Sequence, residues 1–180
     1  MKNLTNYIQE GLKVNSKSKF GKGYNYHPKT KSELRTLIRQ LMKERGNEAN
    51  LNDIDTSEIT NFDNLMNIGS TRNFNGDISY WNVSNVESMV NTFVQCNFNG
   101  DISNWDVSKV KTMEGMFYNS DFNQDISKWD VSNVESIEEM FAYSKFNQDI
   151  SNWDVSNVKN MKDAFELSPL AKNPPKWYKK

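Results

Sequence analysis

The chain has 180 residues, 36% of them hydrophobic, and 22 Lys and Arg against 23 Asp and Glu give a formal net charge of −1. This length suits one domain with a sizeable core. The single cysteine, Cys96, excludes an intrachain disulfide, and the single histidine, His27, has no neighbour in sequence for metal or general-base work.

The charge is unevenly divided: residues 1–46 hold 11 basic and 3 acidic side chains, and the remainder holds 11 basic and 20 acidic ones. Residues 1–19 form a separate segment. Asn3 to Val14 fits a short amphipathic helix with Leu4, Ile8 and Leu12 on one stripe. Twelve residues are marginal for a lone helix in water, so this stripe is a candidate docking helix that needs a surface. Asn15 to Gly23 reads as a basic, flexible linker. No apolar run approaches a membrane span, and the first residues lack a signal-peptide core. The expected location is cytoplasmic or within an assembly, with no membrane partner.

Residues 20–50 read as an N-terminal cap. Tyr24 to His27 fits a short strand, and the spacing of Leu34, Leu37, Ile38, Leu41 and Met42 predicts a helix from about Lys31 to Arg45. Thr30 and Glu33 offer a capping box at its start, and Gly46 ends it.

Residues 51–169 carry a repeat of 24 residues. Full copies begin at Phe74, Phe98, Phe122 and Phe146, and a looser copy covers Asn47 to Asn73. About three extra residues around Ser70 to Arg72 predict a bulged corner. In the full copies position 1 is Phe, position 5 Ile, position 8 Trp, positions 10 and 13 Val, position 16 Met or Ile, and position 20 Phe. A fixed period of this length is the sign of units that bury apolar sides against one another. The first positions fit an extended segment, whereas positions 13, 16 and 20 follow a helical spacing. Ser84 with Glu87 and Ser132 with Glu135 have the form of capping boxes where that helix would start. The resulting expectation is an α/β repeat solenoid, with leucine-rich-repeat-like coils of short strand plus short helix, five coils in all. Residues 170–180 then form an irregular cap, with Pro174 and Pro175 stopping any helix and Leu170, Trp177 and Tyr178 sealing the last coil.

The four repeat tryptophans read as core, against an exposed aromatic platform as the alternative. Asparagine at position 2 and aspartate at position 4 recur in every full copy. A column of carboxylates repels itself unless each accepts hydrogen bonds or meets a cation. The favoured reading is that these side chains satisfy turn amides, and calcium is disfavoured because no glycine-rich calcium loop is present. Cys96 stands where other copies have serine, which points to a small packed side chain.

FNQDISKWDVSNV followed by M-x-x-M-F resembles the BspA-like leucine-rich-repeat family, also described as a mycoplasma-lipoprotein-type repeat. The resemblance runs from about Leu51 to Ser168 and implies an irregular leucine-rich-repeat fold, a bacterial or phage source, and adhesion or protein binding without catalytic residues. The carboxylates are spread periodically instead of converging, so no enzyme and no cofactor are expected. The expected function is a protein–protein interaction module. The alternative is a structural or cargo component of a larger assembly, such as a prophage-encoded virion protein, tethered by its N-terminal helix. Nucleic acid is disfavoured because the basic end lacks interleaved arginines. Positions that vary between copies are candidates for the binding face: Tyr80 and Lys128 after the strand, Glu114, Glu138 and Glu139 on the outer side, and Tyr118 and Tyr143 beyond.

Overall fold

A computed structural model describes residues 16–17, 23–67 and 69–179. The proposed docking stripe of Leu4, Ile8 and Leu12 lies outside the described residues. Within the expected linker, β1 (Ser16–Lys17) pairs antiparallel with β2 (Gly23–Tyr24). Helix α1 spans Lys31–Arg45 and buries Leu34, Leu37, Ile38, Leu41 and Met42, the predicted face. Its first turn is capped by Thr30, whose side chain accepts from the Glu33 amide at 3.2 Å. The Glu33 carboxylate reaches back one residue further than a capping box does, accepting from Lys29 N–H at 2.7 Å. Gly46, at φ 86°, ends the helix and donates to Met42 O.

The repeats are not what the periodicity predicts. Residues 74–168 contain no α-helix and no sheet; they are turns joined by isolated parallel bridges such as Ser88–Thr112–Ser136–Asn160. An α/β repeat solenoid of strand plus helix is therefore incorrect for this chain, and so is its leucine-rich-repeat-like coil. The reason is the backbone at positions 18 and 22 of the repeat. Asn91, Glu139 and Asp163 at the first, and Gln95, Asn119, Tyr143 and Leu167 at the second, all have φ between 49° and 59°, and Gly115 has φ 57°. A left-handed residue every four positions stops any helix from propagating, although residues 16 and 20 still face inward. Ser132 does not cap a helix: its hydroxyl donates to Asp130 Oδ1 at 2.6 Å, and the Glu135 amide donates to Lys111 O of the preceding repeat.

Hydrogen bonds between repeats replace those of a helix. The amides of positions 16, 18, 20 and 22 donate to carbonyls 15, 17, 19 and 21 of the next repeat, as Met89, Asn91, Phe93 and Gln95 do to Thr112, Glu114, Met116 and Tyr118. Side chains consequently stack in register. Phe74, Phe98, Phe122 and Phe146 lie 6.0–6.2 Å apart, and Phe93, Phe117, Phe141 and Phe165 lie 5.6–5.8 Å apart. Trp81, Trp105, Trp129 and Trp153 are 4–5% exposed, and each indole donates to the carbonyl of Leu51, Ile78, Ile102 or Ile126 one repeat earlier. These tryptophans are core.

Both ends of the stack are specific. At the first, Arg35 on α1 donates to Asp63 O and Asn64 O, and Arg45 pairs with Asp53 through two 3.0 Å bonds. The extra residues before Phe74 form a 3₁₀ turn, Gly69–Asn73. At the far end a second 3₁₀ turn, Pro169–Lys172, leads to Trp177, which stacks 6.4 Å from Trp153 and donates to Ile150 O. Trp177 falls 24 residues after Trp153, so it is a fifth rung of the tryptophan column. No helix among the described residues is long and apolar enough to cross a membrane.

Candidate functional site

The recurrent polar positions are structural. Asp77, Asp101, Asp125 and Asp149 each accept from the serine amide two residues on, at 2.9–3.0 Å. Position 9 does the same: Asn82, Asp106, Asp130 and Asp154 accept from Ser84, Ser108, Ser132 and Ser156. The Ser127 amide and hydroxyl hold Asp125 below the usual carboxylate range, with Lys128 adding to the effect. Ser151 and Ser156 do so for Asp149 and Asp154. The position-2 asparagines form a ladder of their own, in which Asn75, Asn99 and Asn123 accept from the amide of the next asparagine at 2.8 Å. Among the described residues no group of three or more His, Cys, Asp or Glu is placed to hold a metal.

The reactive side chains are also engaged. The Cys96 thiol is buried and lies 3.1 Å from Met66 O; burial pushes its pKa up to about 12, where almost no nucleophilic thiolate exists at neutral pH. His27 is not isolated as its sequence surroundings suggest, because its Nδ1 lies 3.2 Å from Asp55 Oδ2.

The candidate binding residues divide into two groups. Tyr80, 47% exposed, and Lys128 both occupy position 7. Lys128 lines a shallow cleft with Asp101, Ser103, Gln124 and Asp125. The others lie on the left-handed segment. Glu114 and Glu138 share position 17, with Glu138 accepting from Asn160 Nδ2 at 2.8 Å; Glu139 is exposed beside it. Tyr118, at position 21, and Tyr143, at position 22 of the next repeat, come together with ring centroids 5.4 Å apart and planes tilted by 53°. The negative charge of Glu166 pushes the Tyr143 phenol above its ordinary range, helped by burial and by Tyr118, Glu139 and Asp163. The structure thus joins the two tyrosines and three glutamates on one acidic, aromatic flank and leaves Tyr80 and Lys128 in a different part of the repeat.

Sequence reasoning missed Leu167, which is 71% exposed at position 22, in register with Tyr143. It borders a cleft of about 420 Å³ with Phe165, Glu166, Ala171 and Tyr178. The signal was available: among the full repeats Leu167 is the one aliphatic residue at a position otherwise held by Gln95, Asn119 and Tyr143.

No curated protein and no solved structure matches the chain. A family described as "Mycoplasma protein of unknown function, DUF285" matches residues 34–145 and 89–178. These two overlapping matches take in α1 from Leu34 onward, every full repeat and the terminal tryptophan rung, and the chain belongs to this family.

Proposed function

We propose that the chain is a non-enzymatic protein-binding module that offers the Tyr118–Tyr143 flank to a protein partner. The observation that carries this reading is Tyr143. It is 43% exposed, sits at φ 59° and contacts Tyr118 across repeats. A left-handed conformation costs a bulky residue about 1–2 kcal/mol that asparagine or glycine avoids, and an exposed ring recovers little of it by burial. Backbone strain retained at the surface is a pointer to function, and tyrosine joins large contact area to a polar tip. The likeness of the repeat motif to BspA-like proteins supports protein binding at the level of sequence, without their leucine-rich-repeat architecture. Glu114, Glu138, Glu139 and Glu166 make the flank acidic, so the partner surface is basic.

The test compares the chain with its Tyr118→Ser/Tyr143→Ser variant in quantitative affinity capture. The variant is expected to keep the thermal midpoint of the parent to within a few degrees and to lose specific partners that the parent retains. Identical captured sets at equal stability remove the flank from consideration.

A further inference from the structure

The last repeat ends in an unfilled row of donors. At each junction between full repeats the amides of positions 16, 18, 20 and 22 donate to the following repeat. The equivalent amides of Met161, Asp163, Phe165 and Leu167 have no acceptor among the described residues. The carbonyls between them, Asn160, Lys162, Ala164 and Glu166, already accept from Ile137, Glu139, Phe141 and Tyr143. Over this stretch the edge therefore presents only N–H groups and cannot pair with another edge of its own kind. It takes a segment that offers a row of carbonyls. The chain beyond Ser168 does not supply one, because Pro169–Lys172 turns away and Tyr178 lies edge-on over Phe165 at 4.9 Å. The 420 Å³ cleft between Tyr178, Ala171 and Leu167 remains beside it.

The chain contains a segment with the required pattern. Residues 61–69 of the loose copy, at positions 15 to 23, read Asn-Phe-Asp-Asn-Leu-Met-Asn-Ile-Gly. Residues 3–11 read Asn-Leu-Thr-Asn-Tyr-Ile-Gln-Glu-Gly. The two agree at Asn3 and Asn61, Asn6 and Asn64, and Gly11 and Gly69, and are apolar at positions 16, 19 and 20, where side chains enter the core. Asn6 matches Asn64, a left-handed residue at φ 56°, the conformation asparagine accepts most readily after glycine. The spacing of Leu4 and Ile8 that suggests a helix is equally the inward spacing of this repeat.

We propose that residues 3–11 of one copy lie along the open edge of a second copy as its next rung. Asn3, Thr5, Tyr7 and Gln9 carbonyls accept from Met161, Asp163, Phe165 and Leu167, and Ile8, at position 20, takes the place over Phe165 that Tyr178 holds, with Tyr178 swinging into the adjoining cleft. The same copy cannot serve both roles. From Gln9 to β1 at Ser16 the chain reaches at most ~25 Å, whereas six rung spacings of ~4.8 Å separate the β1–β2 end from the docked position, ~29 Å before any lateral step. The contact is head-to-tail, so it builds open chains or rings. It uses the end of the stack instead of the tyrosine flank and goes beyond the function proposed above; either can fail alone, since the tyrosine variant leaves the edge intact.

Three full-length proteins test it by sedimentation over a wide concentration range: the parent, Leu4→Asp/Ile8→Asp, and Leu167→Lys, with near-ultraviolet dichroism of the buried tryptophans confirming each fold. The parent mass is expected to rise at least twofold with concentration, while each variant alone stays monomeric. Mixed, the variants pair one to one, because one intact tail and one intact edge remain. In the parent assembly the amides of Met161, Asp163, Phe165 and Leu167 exchange about tenfold more slowly or better than in Leu4→Asp/Ile8→Asp. A parent that stays monomeric, an assembly insensitive to Leu4→Asp/Ile8→Asp, or a mixture that fails to pair overturns the proposal.

Discussion

At the scale of single residues, each tryptophan has two structural tasks. Its rings fill the column between repeats, and its indole N–H donates to the carbonyl of the leucine or isoleucine one repeat earlier, as Trp129 does to Ile102 at 3.1 Å. Trp129→Ala removes both and is expected to lower stability by about 3–5 kcal/mol. Trp129→Phe keeps most of the apolar area and leaves Ile102 O with only the Trp105 amide, 3.1 Å away, so it costs about 0.5–1.5 kcal/mol, the net worth of one hydrogen bond. Trp177 makes the same bond to Ile150 but is only partly buried at the end of the column, so Trp177→Ala costs less than Trp129→Ala. Denaturant midpoints at constant m-value rank the three. Equal, near-zero shifts would contradict the packing of the column.

At the scale of the element, residues whose environment is the core could be read from the sequence and residues whose backbone is unusual could not. The α1 face from Leu34 to Met42 and the Phe, Trp and Val columns follow directly from periodicity, because only burial imposes it. Phe93 and Met89 also recur on schedule, yet a spacing of four fits both a helix and a chain of turns with a left-handed residue in each. Glycine would have betrayed the second, but only Gly115 stands at such a position in the full repeats; Glu139, Tyr143, Asp163 and Leu167 hide it. The flank was half visible for the same reason: variable positions marked Tyr118 and Tyr143, while their contact depends on the inter-repeat offset. Glu139 supplies the test at this scale. It is exposed with φ 52°, and Asn91 and Gly115 hold the same position in neighbouring repeats. Glu139→Asn is expected to stabilise the chain by about 1 kcal/mol through relief of that conformation. Were the segment helical, asparagine would destabilise it instead, so the sign of the midpoint shift decides between the two backbones.

At the scale of the whole molecule the stack is polar. The row of amides points toward the last repeat and the row of carbonyls toward the first, so the two ends need different treatment. The first repeat has carbonyls to satisfy, and α1 provides the donor: Arg35 reaches Asn64 O at 2.7 Å and Asp63 O at 3.4 Å. Arg35 Nε is buried there without a partner, and burial lowers the guanidinium pKa, with the charge of Arg39 adding to it. Arg35→Met leaves both carbonyls facing an apolar side chain but also removes the unpaired Nε–H. Because these effects oppose, the expected loss lies toward the lower end of the range for an orphaned carbonyl, about 1–2 kcal/mol. Arg39→Met, on the exposed side of the same helix, is expected to change stability by no more than about 0.5 kcal/mol. Hydrogen exchange adds the spatial readout. If Arg35 closes the ladder, Arg35→Met speeds exchange first in α1 and at Phe62 and Asn64, and leaves the Met113–Asn119 rung slow. Uniform acceleration along the stack, or equal midpoints for the two arginine variants, would show that α1 covers the first repeat by apolar packing alone.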